Sequence, residues 1–212
     1  MNKKIALVFL FLFLFISIIG TYAQTDIGSW TSVSLRKDKG LMSYILKPIV
    51  RHNKDLSNYS NASIDIIVSR KLDKNWSVKF LERYWWLENG NNRNFWFFDV
   101  IHGIKLSDKI RLSQYFRWHV AQDIDFVDPN FLRWHPSITI KTGSKIKPYF
   151  GAELFYRIDG INELQRSRLK IGASYAVTDH WQISLRIWKQ DRMNSKEPLT
   201  EYIFQFNIGY KL

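Results

Sequence analysis

Twelve residues near the middle of the chain, FLRWHPSITIKT from Phe131 to Thr142, place Leu132, Trp134, Pro136, Ile138 and Ile140 on one parity and Arg133, His135, Ser137, Thr139 and Lys141 on the other. A period of two is that of a pleated strand, whose successive side chains point to opposite faces. The rule recurs over 146–158, where Phe150, Ala152, Leu154 and Tyr156 oppose Tyr149, Gly151, Glu153 and Arg157. It recurs again over 201–212 and over 95–106, 110–121, 164–177 and 181–190. Alternation alone would also suit a soluble periplasmic β-sandwich, so length has to decide. The segments run about 10 to 14 residues, above the ~5 to 6 of globular strands and at or beyond the ~9 to 11 that cross a bilayer at a tilt. Short turns (LDKN, SDK, TGSK, VTDH) also alternate with longer polar links (ENGNNRN, DIDFVDPN, DGINEL, DRMNSKEPLT). That asymmetry belongs to outer-membrane barrels, which have short periplasmic turns and long outer loops.

The ends and the composition agree. Residues 1–23 hold two lysines, an apolar run from Ile5 to Gly20 interrupted only by Ser17, and a small-residue site at Thr21-Tyr22-Ala23, which reads as a cleaved signal peptide. The remaining chain, 24–212, suits a single domain. It contains no cysteine, which argues against a disulfide-stapled exported fold and removes thiolate chemistry. It has no apolar stretch of about 18 residues for a spanning helix, yet aromatic residues make up 16% of the sequence. The expected fold is therefore all-β: an antiparallel transmembrane β-barrel in the outer membrane of a Gram-negative bacterium. Eleven alternating segments can be counted, at about 27–36, 42–52, 60–72, 76–88, 95–106, 110–121, 131–142, 146–158, 164–177, 181–190 and 200–212. Bacterial single-chain barrels have even strand numbers. Parity thus favours ten strands, with one N-terminal segment outside the wall, or twelve, with a weak strand uncounted.

Centring each connection on its midpoint pairs the inward residues. Asp99 then faces Arg117 across SDK, and Arg117 faces His135 across a loop centred on Phe126, with His119 facing Arg133. His135 faces Glu153 across TGSK, and Glu153 faces Arg168 across DGIN. The predicted lumenal polar network comprises Asp99, Arg117, His119, Arg133, His135, Glu153, Arg166, Arg168 and Arg186, with Arg111 and Lys170 as further cations. Its charges mostly alternate in sign, and such pairs attract more strongly in a narrow lumen than at an open surface. The tripeptide RWH, present at Arg117–His119 and at Arg133–His135, becomes two facing arms of one hairpin. One segment departs from the pattern: in 76–88, Glu82 shares a parity with Trp76, Val78, Phe80, Tyr84 and Trp86. If Glu82 points inward it approaches Asp65 and Asp99, and like charges resist joint ionisation; a bulge is the alternative.

Other chemistries are less well supported. His119 and His135 each lie beside an arginine, which opposes a bound metal ion, so neither metal nor cofactor is expected. Ser137, His135 and Glu153 share one face, but no nucleophile elbow accompanies them. The formal charge of +12 points, in an exported barrel, to lipopolysaccharide phosphates rather than nucleic acid. LRKDK, RHNK and DRMNSK are the candidate contacts. Trp85, Trp86, Trp96, Trp118, Trp134, Trp181 and Trp188 fall near strand ends like interface girdles. Outer-membrane lipids and the barrel-assembly machinery are the remaining expected partners.

Trp30, YFRWH with LRWHP, and PYFGAELFYR with RSRLKIGASY give the chain a resemblance to the domain-of-unknown-function 2490 family of exported Gram-negative proteins. Within these, Glu153, Arg166, Arg168 and Gly172 match positions typical of the family. The resemblance implies an outer-membrane barrel and assigns no activity. Two functions follow as expectations. One is a non-enzymatic structural or interaction barrel, or a narrow pore for small anionic solutes, with a salt-bridged basic lumen. The alternative is an outer-membrane hydrolase or acyltransferase using lumenal histidine and carboxylates.

Overall fold

Alternating sequence becomes wall because each strand exposes its apolar parity outward and keeps its polar parity within. The computed structural model describes residues 24–53, 56, 58–87, 90, 92–122, 130–160, 162–194 and 199–212; the expected signal peptide lies outside them. Eleven strands form: β1 (Gln24–Lys39), β2 (Met42–Asn53), β3 (Asn58–Lys71), β4 (Trp76–Leu87), β5 (Asn92–Lys105), β6 (Ile110–Ala121), β7 (Phe131–Ile140), β8 (Ile146–Arg157), β9 (Leu164–Ala176), β10 (Trp181–Arg192) and β11 (Leu199–Lys211). They close into one barrel in which every consecutive pair is antiparallel and β1 meets β11.

All eleven alternating segments are thus wall strands, and the even count of ten or twelve is not what the barrel has. An odd number of up-and-down strands leaves the first and last pointing the same way. Closure must then be parallel, and β1 pairs with β11 in parallel from Gln24↔Leu199 to Arg36↔Lys211. Parity was a statistical expectation about barrels, whereas closure requires only that no hydrogen-bonding edge be left open.

The interior is polar. Among the described residues, Asp65, Asp99, Glu153, Arg51, Arg168 and Lys170 are all buried, while Trp86, Phe116, Trp118, Leu132, Leu185 and Phe204 are exposed on the outside. This inverts a soluble protein and is the arrangement of a membrane barrel. Six tryptophans lie on the outer face: Trp86, Trp96, Trp118 and Trp134 toward the long-loop end, and Trp76 and Trp181 at the short-turn end. Trp85 and Trp188, expected in the girdles, instead face the lumen together with Trp30.

Pro48 in β2, Pro136 in β7 and Pro148 in β8 are accommodated without a register slip at any of them. The β7–β8 ladder pairs Trp134↔Leu154 and Ser137↔Gly151 but skips His135 and Pro136, because proline has no N–H to donate. Gly172 marks a close approach: a Cβ there would collide with the Leu185 carbonyl oxygen on β10.

Candidate functional site: a cationic, aromatic-lined lumen

Every strand contributes side chains to one lumenal cavity of about 500 Å³, within the ~300 to 1,000 Å³ range of small-molecule sites. Three registers match the sequence pairing. Asp99 faces Arg117, Glu153 faces Arg168, and β7–β8 has the register expected for His135 and Glu153. The fourth is displaced by two residues. Arg117 faces Arg133, Tyr115 faces His135, and His119 faces Phe131. The two RWH copies therefore share a hairpin but do not pair Arg with His. Phe126, the assumed midpoint, lies outside the described residues. A long loop does not fix register as a tight turn does, so side-chain packing decides it.

That displacement sets two guanidiniums side by side, and each takes its own carboxylate. Arg117 donates from Nε (2.5 Å) and Nη2 (2.8 Å) to Asp99, which also receives Lys79 at 2.5 Å. Arg133 donates from Nε (2.8 Å) and Nη2 to Glu153, whose other oxygen receives Lys170 at 2.5 Å and lies 3.5 Å from Arg168. Arg83 donates from Nε (2.6 Å) and Nη2 (2.7 Å) to the two oxygens of Asp65, as Arg117 does to those of Asp99. The Arg117–Asp99 and Arg83–Asp65 pairs have the charge-assisted, side-on bidentate geometry that gives an arginine–carboxylate pair its strength, whereas both Arg133 donors meet one oxygen of Glu153. Arg168 also donates to Gln190 at 2.5 Å, and Gln190 in turn donates to Glu201.

The aromatic half of the lumen escaped the sequence reading. Phe97, 2% exposed, lies under Arg83 (5.3 Å), Arg117 (4.8 Å) and Arg133 (6.0 Å). Phe155 lies under Arg133 (4.2 Å), Arg166 (5.4 Å) and Arg168 (4.7 Å), and Arg186 covers Tyr149 at 4.7 Å. Each ring holds its guanidiniums by cation–π attraction. Period-two parity marked these rings as inward, but nothing in it distinguished a stacking platform from an ordinary strand aromatic.

Glu82 lies on the outer parity of β4, facing Trp96 and Ile66 and accepting a hydrogen bond from Asn94 (3.1 Å). The cluster with Asp65 and Asp99 therefore does not form and β4 carries no bulge; its inward residues are Lys79, Leu81, Arg83 and Trp85. His119 packs among Phe95, Phe97 and Phe131, at ring-centroid distances of 5.1, 4.5 and 5.7 Å. His135 bonds through Nε2 to the Tyr149 hydroxyl (2.6 Å) and stacks on Tyr115. Ser137 donates to the Ser113 carbonyl (3.4 Å). In these bonds Ser137 and His135 are turned to other partners, and Glu153 is held by cations, so the three do not form a nucleophile–base–carboxylate chain. Arg111 closes over Gly103 near the short-turn end, where a Cβ on Gly103 would run into the guanidinium.

In sum of charge, eleven lysine and arginine side chains line the cavity against four carboxylates, Asp26, Asp65, Glu153 and Glu201, with Asp99 beside it. The rim segments fall differently from expectation. Leu35–Lys39 lies at the short-turn end, Arg51 faces the lumen, and Asp191 and Arg192 lie at the long-loop end.

Comparison with known proteins bears on the fold. No family model matches the chain, and no curated protein matches it. Among solved structures, the barrel is similar to that of a NanC porin in a rhombohedral crystal form, with a TM-score of 0.56 and 13% sequence identity over 88% of this chain and 99% of that one. At that identity the likeness is one of architecture, and it makes this chain an all-β closed barrel of porin-like fold.

Proposed function

We propose that this protein is an outer-membrane barrel acting as a narrow pore for small anionic solutes. The observation that carries the reading is the lumenal charge excess, eleven cations against four lining carboxylates, inside a closed wall whose outer face is apolar. Low-dielectric walls focus such a field, which concentrates anions and repels cations. The porin-like architecture supports the same reading. Lysine and arginine held on aromatic rings present charge without mobile chains that would block the lumen. Among the described residues the candidate histidine and carboxylate of the hydrolase alternative are bonded elsewhere. Lipopolysaccharide contact, if the long loops face outward, falls to the Asp191–Arg192 rim rather than to Leu35–Lys39.

The test is a planar bilayer with a potassium chloride gradient. Purified, folded protein gives a zero-current potential of the sign for chloride preference, and Arg186→Glu shifts it toward zero. A silent bilayer, or cation preference, overturns the proposal.

A further inference from the structure

Arg51 is 3% exposed, yet among the described residues only one of its nitrogens has a hydrogen-bond partner. Nη1 donates to Asn61 (2.6 Å) and Ser63 (2.9 Å), whereas Nε and Nη2 have no partner among the described residues. Those two N–H groups form the side-on edge of the guanidinium. It is the same edge with which Arg83, Arg117 and Arg133 grip Asp65, Asp99 and Glu153 in this lumen. No carboxylate among the described residues completes the fourth fork. The charges acting at Arg51 are two more guanidiniums, Arg83 and Arg168, and Asp65, whose oxygens both bond to Arg83. A buried cation beside cations and without a counter-ion is costly, so an anion at that edge is strongly favoured.

The surroundings define the rest of the ligand. Arg51 is held between two indoles, with its Cζ 4.8 Å from the Trp30 ring and 5.1 Å from the Trp85 ring. The Trp85 indole N–H is also buried without a partner among the described residues, which places a third orphan donor on a ring beside the open fork. All three residues line the cavity. Two parallel N–H groups match the two oxygens of a carboxylate, and the flanking rings favour a flat or apolar body behind it.

We infer that Arg51, with Trp30 and Trp85, forms a binding site for a small monocarboxylate carrying a ring or apolar body. The inference deepens the pore reading and rests on it only for the ligand's route inward. Asn61 and Ser63 fix the guanidinium through Nη1, which holds the unpaired Nε–Nη2 edge in one place.

The test uses 4-bromobenzoate in equilibrium dialysis against the whole folded barrel in a non-ionic detergent, with empty micelles and 4-bromobenzamide as controls. The expected result is saturable binding of one benzoate per chain and none of the amide. Arg51→Lys, which keeps the charge and loses the fork, should weaken binding at least tenfold with barrel mobility on gels unchanged. Equal binding by Arg51→Lys, or no saturable binding by the unmodified protein, overturns the site. Should Arg51→Lys fail to fold, crystals of the unmodified protein with 4-bromobenzoate decide. Bromine anomalous density beside Arg51 supports the site, and density elsewhere in the lumen or none refutes it. Because dialysis needs no conduction, the two readings fail separately: saturable binding with a silent bilayer removes the pore, and anion conductance without binding removes the site.

Discussion

Glu153→Gln is the sharpest perturbation of the lumenal network. Glu153 is 3% exposed and accepts from Arg133 and Lys170, with Arg168 at 3.5 Å. Glutamine keeps the shape and one acceptor but removes the negative charge that Arg133, Arg168 and Lys170 share. Breaking a buried ion pair from one side typically costs about 3 to 5 kcal/mol, and each hydrogen bond to a charged group about 1.5 to 3. The amide oxygen of the substituted side chain still accepts from one donor, so a loss of about 3 to 4 kcal/mol is expected, a large part of the ~5 to 15 kcal/mol that holds a domain folded. Removing one cation as well, by Lys170→Met, should recover more than about 1 kcal/mol, since residues in one ion-pair network couple. The assay is urea unfolding in lipid vesicles, followed by tryptophan fluorescence and by heat-modifiable gel mobility. A Glu153→Gln barrel within about 1 kcal/mol of the parent, or strictly additive effects with Lys170→Met, would refute the claim that these charges hold one another.

Two further predictions concern the outside and the loops. Glu82, facing Trp96 on the outer wall, costs solvation in lipid that the Asn94 bond only partly offsets, so Glu82→Leu should raise stability by about 1 kcal/mol in vesicle unfolding; a loss would mean that Glu82 faces water. Asp159, beyond β8, accepts from Arg157 (2.6 Å) and from the Asn130 amide (3.0 Å). Burial pushes its carboxyl up, but these donors outweigh burial and hold it below the usual range. A depressed folded pKa means that the brace is present above the unfolded value and lost as pH falls through the lower folded one. Asp159→Asn should therefore speed exchange of the Asn130 amide at neutral pH, with the difference vanishing in acid below pH ~4. Equal exchange rates at neutral pH would show that the brace does not exist.

The wall was legible because period two survives in ten- to sixteen-residue strands. In β7 the parities of Leu132, Trp134 and Ile138 against Arg133 and His135 placed outer face and lumen without any structure, and tight turns gave Asp99↔Arg117 and Glu153↔Arg168. The β4 parity was obscured by Glu82. Comparing Ser77, Lys79, Leu81, Arg83 and Trp85 with Val78, Phe80, Glu82, Tyr84 and Trp86 shows the second set to be the more apolar, a signal available before the structure and outweighed by one charge. Alternation by itself determined which face each side chain takes, since that follows from local backbone geometry. Tertiary structure alone decided the odd strand number with its parallel seam, the two-residue displacement that sets Arg117 beside Arg133, and the fork of Arg51 left open between Trp30 and Trp85. Each of these depends on how residues far apart in the chain meet around a closed circle, and neighbours in sequence carry no record of that.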